Sequence, residues 1–302
     1  MGGTIIYSDN LDALRSIETG SIDLIYIDPP FNTGKQQKRT TIKVHAAHDG
    51  ERVGFGDRRY RATVLGTRAF QDAFDDYLEF LRPRLEEAYR VLAPHGSLYF
   101  HIDYRWAHYC KILLDSIFGI DAFINEIIWA YDYGGRSKRR WPAKHDTIFF
   151  YAKDPESYYF NDEAIERIPY MAPGLVGAEK AARGKLPTDV WWHTIVPTNS
   201  REKTGYPTQK PLGILRRIIA ASSKPGDTVL DFFAGSGTTG IAAAELGRNF
   251  ILVDNNQDAL IVMARRFAGI PEISWVNFDP EPHRGSSSQQ VLFEPSYAQP
   301  IK

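Results

Sequence analysis

From Thr4 to Ile120, short apolar runs alternate with stretches of helical period, the pattern of a parallel sheet flanked by helices. Leu24-Ile25-Tyr26-Ile27 is β-branched and aromatic with no polar face, so it reads as a strand buried on both sides. Helices are expected over Leu11–Ile17, over Phe70–Leu92, which Pro94 and Gly96 end, and over Trp106–Ile117. Asn125–Tyr131 and Thr147–Ala152 read as two strands of an antiparallel edge hairpin, joined by a Gly-Gly-Arg segment. Late in the chain, Thr228–Asp231 and Arg248–Val253 are strands on either side of a glycine-rich turn and a helix, Ile241–Leu246, with Gly247 at its C-cap. Residues 35–70 break the pattern: polar, rich in Gly and charge, and without sustained period, they are expected to be a long mobile loop. Residues 154–200 carry Tyr, Trp and Pro with weak periodicity, and the tail after Phe278 has few apolar residues and is expected to order only on contact or in part. No internal repeat is present.

The run ending at Ile27 is followed by Asp28-Pro29-Pro30-Phe31. Two prolines cannot continue a sheet, so the chain turns there, at the edge where open α/β sheets bind ligands. An exocyclic amino group on a nucleic-acid base is a poor nucleophile because its lone pair is conjugated into the ring. A pair of acceptors aimed at its hydrogens would free that lone pair. Asp28 supplies one and the Pro29 carbonyl, restrained by Pro30, another. Phe31 can stack on an extruded base and offset an extrusion cost of roughly a few kcal/mol. Taken by itself, the tetrapeptide fits equally well a strand and a Pro-Pro turn whose Asp caps the next segment.

Gly235-Ser236-Gly237-Thr238-Thr239-Gly240 matches the dinucleotide fingerprint literally. Context argues against a nicotinamide or flavin. The unit sits late in the chain, and Asp231, at the end of the first strand, would repel a pyrophosphate but could hold an ammonium. S-adenosylmethionine has an amino group for Asp231, a ribose for Asp254 and no pyrophosphate.

In these motifs and their order the chain resembles the amino-methylating DNA methyltransferases of the β type, in which the catalytic motif precedes the cofactor motif. Ile22 to Gly34 is similar to the catalytic motif of adenine-N6 members. Tyr206-Pro207-Thr208-Gln209-Lys210-Pro211 and Pro225-Gly226-Asp227 resemble the approach to the cofactor loop, and Gly96–Asp103 and Asn125–Trp129 resemble intervening strands. The resemblance implies that Asp28, Pro29, Pro30 and Phe31 grip the target base. It places Asp231, Phe233, Gly235, Ser236, Gly237 and Thr238 in the cofactor loop, Asp254 and Asn255 at the ribose, and Thr208 and Lys210 at the methionine end, with Asp28 also beside the cofactor. Asp9 is expected either to contact the cofactor's adenine or to cap the helix that follows. Phe232 stands where the family usually has proline, which implies a less rigid loop.

Composition adjusts this picture little. The chain has 302 residues, 43% of them hydrophobic, and a mean hydropathy of -0.34, as in soluble globular proteins. It contains no apolar run long enough for a membrane span, no signal peptide is expected, and the single Cys110 fits packing in a reducing cytoplasm. The eight histidines lack metal-ligand spacing, and no metal is expected. His101 with Asp103 and His145 with Asp146 suggest acid–base pairs, but structural roles are favoured for them. A formal charge of -1 can hide a basic face. Lys35, Lys38 and Arg39, with Lys43, Arg58, Arg59, Arg61 and Arg68, form one basic stretch, and Arg136, Lys138, Arg139 and Arg140 another. Both are expected to meet DNA phosphates.

The expected architecture is an α/β, Rossmann-like, doubly wound S-adenosylmethionine-dependent methyltransferase sheet with an antiparallel edge hairpin and a small target-recognition lobe. Residues 1–153 would form the catalytic half, with a loop at 35–70 that orders over DNA. Residues 154–200 would form the recognition region, 201–270 the cofactor half and 271–302 a tail. The expected activity is methylation of adenine N6 in a specific double-stranded DNA sequence by base flipping, with cytosine N4 the nearest alternative. RNA or protein-glutamine methylation and a non-catalytic DNA-binding regulator stand further off. A homodimer and a cognate restriction endonuclease stay open, and no membrane partner is expected.

Overall fold

The computed structural model describes residues 2–32, 37–46, 52–53, 59–70, 76–197 and 199–284, with the backbone alone described between 37 and 70. The chain forms two compact units, Met1–Pro29 with Arg82–Lys302, and Pro30–Leu81.

In the larger unit, β1 (Gly3–Tyr7), β2 (Ile22–Ile27), β6 (Leu92–Asp103), β7 (Phe123–Ala130), β8 (His145–Ala152), β9 (Val190–Trp192), β10 (Thr228–Asp231), β11 (Asn249–Asp254) and β12 (Ile273–Val276) make one sheet, in the order β12-β1-β11-β10-β2-β6-β8-β7-β9. The helices of this unit include α1 (Asn10–Ser16), α3 (Ala107–Phe118), the short α4 (Ala178–Arg183), α5 (Leu212–Ser222), α6 (Thr238–Glu245) and α7 (Gln257–Arg266). The central strands are the apolar runs. Leu24, Ile25 and Ile27 of β2 and Val229 and Leu230 of β10 are fully buried, because helices cover both faces. Each such side chain contributes about 1.5–3 kcal/mol on burial. Helix α5 turns Ile214, Leu215, Ile218 and Ile219 into the core, and the Glu202 carboxylate accepts from Leu212 N at its start.

The order of strands locates the site. The chain leaves β2 for β6 on one side and leaves β10 for β11 on the other, while β2 and β10 pair in parallel, Leu24 opposite Val229 and Ile25 opposite Leu230. That is a switch point, where crossovers diverge and a crevice opens at the carboxyl ends of the strands.

Four features differ from expectation. Residues 35–70 are not one irregular loop: β3 (Gln37–Ala46), β5 (Arg59–Phe70) and the short β4 (Arg52–Val53) form an antiparallel sheet in the smaller unit, in register from Gln37↔Phe70 to Ala46↔Tyr60. Its β-branched residues, such as Thr40, Thr41, Ile42 and Val64, are interleaved with charge, so strand pairing supplies an order that local periodicity hides. Since Phe70 is in a strand, the next helix, α2 (Tyr77–Val91), starts later than expected. The β7–β8 hairpin is present and antiparallel, but β9 pairs in parallel outside it, so 154–200 belongs to the larger unit and ends in its sheet. Residues 271–302 open not as tail but as β12, parallel to β1, and residues 285–302 lie outside the described residues.

Candidate active site

Four carboxylates stand at the carboxyl edge of adjacent strands: Asp9 after β1, Asp28 after β2, Asp231 ending β10 and Asp254 ending β11. Each has distinct work. Asp9 caps α1, accepting from Leu11 N at 2.8 Å, and its other oxygen meets Arg84 Nη2 at 3.2 Å. Asp231 is 3% exposed, and its two oxygens accept from Phe233 N at 3.0 Å and Thr239 Oγ1 at 2.5 Å. Asp254 accepts from Gly235 N at 2.7 Å and Asn256 N at 2.8 Å, and also from Asn255 N. Asp231 and Asp254 therefore hold the glycine loop from its two flanks. Burial pushes Asp231 up to about 7, with Asp28 and Asp254 nearby adding to it, and pushes Asp254 up to about 6.

The loop between β10 and α6 follows from its residues. Gly235 (φ 51) and Gly237 (φ 74) take left-handed backbone that other residues resist, and Gly237 leads into α6. A Cβ on Gly240 would lie 2.7 Å from Leu252 Cδ1, so this glycine lets the helix close on the sheet. The Ser236 and Thr238 hydroxyls lie 3.2 Å apart. Three residues that support the loop were not legible in the sequence. Arg266 Nη1, from α7, donates to Ser236 O (3.1 Å), Ser236 Oγ (3.3 Å) and Thr238 Oγ1 (2.9 Å). Asn10 Nδ2 donates to Phe232 O at 3.0 Å, and Arg84 Nε to Asn10 Oδ1 at 2.6 Å. Phe232, in the family's proline position, is buried and tied from behind, which restores restraint to the loop.

Arg266→Met should remove a part-buried, charge-assisted anchor worth about 1.5–3 kcal/mol. The expected result is a lower denaturation midpoint together with weaker cofactor binding, read by denaturant titration and calorimetry. Unchanged affinity would show that Arg266 does not shape the loop.

The segment before α5 crosses the same edge. Gln209 is buried and braces it, accepting from Thr204 N (2.9 Å) and donating to Glu202 O (2.6 Å). Thr208 is held at φ 58, a strain of about 1–3 kcal/mol for a residue with a side chain, of the kind that collects at ligand sites. Tyr206 leans on the loop, its Cε1 lying 3.2 Å from where a Gly235 Cβ would be. Lys210, assigned from the resemblance to a methionine carboxylate, here donates to Asp28 Oδ2.

Asp28 is the junction. Its Oδ1 is buried without a hydrogen-bond partner among the described residues, with His101 Nδ1 3.9 Å away. The sequence pairs of His101 with Asp103 and His145 with Asp146 do not form. His101 meets Asp146 across two strands, and Asp103 accepts from Arg105 Nε at 2.6 Å. Burial raises the Cys110 thiol to about 12, in keeping with a packing role. Pro30 and Phe31 belong to the smaller unit.

Of the basic residues, Arg136, Lys138, Arg139 and Arg140 are exposed on the loop from β7 to β8, and Arg136 pairs with Asp132 at 2.7 Å. Because β7 runs parallel to β2, this loop leaves the same sheet edge as Asp28. Trp141, 95% exposed, stands beside them. Lys38 and Arg39 lie in β3, and Lys35 lies outside the described residues.

The glycine loop at the switch point, flanked by the carboxylates of Asp231 and Asp254 with Asp28 ending the adjacent strand, has the arrangement of the methyltransferase class. Residues 22–264 match the DNA methylase family model for N6 and N4 amino methylation, and the chain belongs to that family. It is 32% identical to the type II methyltransferase M.HpaI of Haemophilus parainfluenzae over 88% of this chain and 74% of that protein. It is 31% identical to the DNA adenine methyltransferase YhdJ of Escherichia coli K12, over 87% of this chain and 82% of that one. The fold is similar to PvuII DNA methyltransferase, described as cytosine-N4-specific (TM-score 0.63, 16% identity, 94% and 90% of the two chains), and to M1.HpyAVI in complex with S-adenosylmethionine (TM-score 0.56, 20% identity, 88% and 98%). The protein is a DNA methyltransferase that uses S-adenosyl-L-methionine.

The donor set suits that cofactor, since carboxylates can take a ribose diol and face a sulfonium. It also predicts proton linkage. Asp231 and Asp254 titrate above their ordinary values, so the fold binds protons there that the unfolded chain releases. Their contribution to stability is present below about pH 4 and is lost as pH rises through about 6 to 7. A cationic ligand favours the ionised forms. Cofactor binding near about pH 6.5 should therefore release protons, and near about pH 8.5 it should not. Calorimetry in buffers of different ionisation enthalpy reads this directly, and buffer-independent heats at the lower pH would contradict it.

Proposed function

We propose that this protein methylates the exocyclic N6 of adenine within a specific double-stranded DNA sequence, on a base flipped out of the helix. The observation that carries this is Asp28 at the switch point, one carboxylate oxygen buried and open, followed by the Pro29 carbonyl and adjoining the glycine-loop crevice. Asp28 and Pro29 accept from the two amino hydrogens, which localises the nitrogen lone pair toward the methyl donor, while Phe31 stacks on the base and Pro30 fixes the turn. Asp254, with Asn255, would hold the ribose, and Asp231, Phe233, Gly235, Ser236, Gly237 and Thr238 the loop around the cofactor. Thr208 would sit at its methionine end, with Lys210 shared between that end and Asp28, and Asp9 would stand at its adenine. Asp rather than Ser before Pro-Pro, and the adenine named for YhdJ, support adenine over cytosine.

Arg136, Lys138, Arg139 and Arg140, with Lys35, Lys38 and Arg39, would contact phosphates, and residues 154–200 would read the sequence. The type II name of M.HpaI supports a cognate restriction endonuclease, and the family resemblance supports a homodimer, in a bacterial cytoplasm. Among the described residues no helix is long and apolar enough to cross a membrane.

The test is incubation with methyl-labelled S-adenosylmethionine and unmethylated genomic DNA, digestion to nucleosides and mass spectrometry. N6-methyladenine is expected. N4-methylcytosine would overturn the base assignment and keep the mechanism, and neither product would overturn both.

A further inference from the structure

Gripping a base does not account for the polar side chains packed behind Asp28. β2, β6, β8 and β7 are successive neighbours, and near their site edge stand Tyr26, His101, Asp146 and Tyr131. His101 is fully buried. Its Nδ1 lies 2.8 Å from Tyr26 Oη and 3.9 Å from Asp28 Oδ1, and its Nε2 lies 3.2 Å from Asp146 Oδ2. Tyr131 Oη donates to Asp146 Oδ1 at 3.0 Å, and the ring of Trp129 meets the imidazole edge-on, 5.5 Å between centres. Hydrogen bonds run from Tyr26 through His101 and Asp146 to the half-buried Tyr131, and Asp28 Oδ1 stands beside this row, 3.9 Å from His101 Nδ1, a gap that must close for a proton to cross. Burying this many ionisable groups is costly unless they serve one another.

Methylation of an exocyclic amino group forms one N–C bond, breaks one S–C bond, and leaves a surplus proton on the nitrogen. We propose that this proton passes from the nitrogen to Asp28 Oδ1 and then to His101 Nδ1, and that Asp146, on Nε2, holds the imidazolium that results. His101 is then a positioning and proton-accepting residue behind Asp28. The inference rests on the methyltransferase reading above. The tautomer required has hydrogen on Nε2, donated to Asp146, leaving Nδ1 as acceptor from Tyr26. When Nδ1 is protonated, Tyr26 Oη turns to accept from it. Once product departs, the proton returns from His101 Nδ1 through Asp28 Oδ1 to water entering the emptied base site, which leaves the hydrogen on Nε2 and restores the starting tautomer, and no oxidant or further reactant is needed.

The charges around His101 suit this. Burial, together with the negative Asp28, Asp231 and Asp146, raises Tyr26 well above its ordinary value, so it keeps its proton. Burial would also raise Asp146, but the hydrogen bonds from His101 and Tyr131, with the charge of Lys210, outweigh it and hold the carboxyl below its usual range. Among the described residues the groups facing this row are Asp28 with Lys210 from β2, Asp231 from β10, Asp103 with its partner Arg105 from β6, Asp146 from β8 and Tyr131 from β7.

The test is single-turnover methylation of unmethylated DNA across about pH 5.5–9.5 by the wild type, His101→Asn and Asp146→Asn. The wild-type rate should be flat above neutrality. His101→Asn should be about a hundredfold slower at neutral pH and should recover as pH rises, because hydroxide can then take the proton, with Asp146→Asn between the two. Cofactor binding should be retained in both. A folded, cofactor-binding His101→Asn with wild-type rates, or with rates lowered uniformly and an unchanged pH profile, would overturn the relay and leave a structural role. If His101→Asn fails to fold, the isosteric Asp146→Asn decides by the same profile. A wild type that transfers no methyl group to any DNA would instead sink the methyltransferase reading on which the relay rests.

Discussion

Asp28→Ala should abolish methyl transfer while cofactor affinity stays within a few-fold of wild type. The loop that would hold the cofactor hangs from β10, β11 and α7, through Asp231, Asp254 and Arg266, and none of these depends on Asp28 for a hydrogen bond. The substitution therefore removes an acceptor for the amino group and the first stop for its proton, and leaves the crevice standing. Losing one preorganised electrostatic contact costs about 10²–10³-fold, and losing proton transfer as well takes the expected drop in single-turnover rate beyond about 10³-fold. Lys210 loses the Asp28 carboxylate too, but keeps Thr208 O as an acceptor at 3.5 Å. Calorimetric cofactor binding beside a rapid-quench methylation assay separates the two effects. Wild-type turnover in Asp28→Ala would refute the mechanism, and loss of cofactor binding would show that Asp28 belongs to the cofactor site.

Gly237→Ala should act the opposite way, striking stability and cofactor binding together. Gly237 sits at φ 74, where an added Cβ is strained by about 1–2 kcal/mol. That Cβ would lie 2.7 Å from Phe267 Cε2 and 2.9 Å from Met263 Cγ, inside the core. The Met263 side chain can yield, but the buried Phe267 ring has little room. Overpacking of this kind costs about 1–3 kcal/mol more. With about 2–5 kcal/mol lost, a chain of this size should melt about 5–15 °C lower. The loop leading into α6 should also lose the geometry that Arg266 and Asp254 hold. A thermal scan with and without S-adenosylmethionine tests both effects, since the cofactor should raise the wild-type midpoint and leave that of the variant unmoved. A variant that melts like wild type would mean the helix shifts freely at this joint.

What the sequence discloses is what is written locally. β2 and β10 are dense β-branched runs, Gly247 ends its helix, and the spacing from Asp231 through the glycines to Asp254 states a strand-loop-helix-strand unit without help. The smaller unit was hidden because Thr40 to Val44 and Arg61 to Val64 show no period of their own, and a strand's partner there is some twenty residues away. The His101–Asp146 pair was hidden for a related reason. Residues adjacent in sequence, His101 with Asp103 and His145 with Asp146, looked like pairs, yet side chains two apart on a strand share a face without needing to meet. The true partners lie diagonally on neighbouring strands, His101 opposite Ile148 and so two residues from the level of Asp146, in a register that sequence does not print. Arg266 and Arg84 read as ordinary helix-surface arginines until the packing shows which loop each one backs.

The pairing of β2 with β10 also bears on how this protein is made. The strand that presents Asp28 leaves the ribosome about two hundred residues before the strand that completes its crevice. Until β10 and β11 arrive, one edge of β2 is unpaired and β1 lacks its neighbours on both sides. During synthesis the chain therefore carries a central, apolar sheet edge that only the much later β10 and β11 can cover, which is a setting for slow folding and dependence on chaperones. The same arrangement means that a chain without β10 and β11 has no crevice for the methyl donor, so methylation waits for both strands.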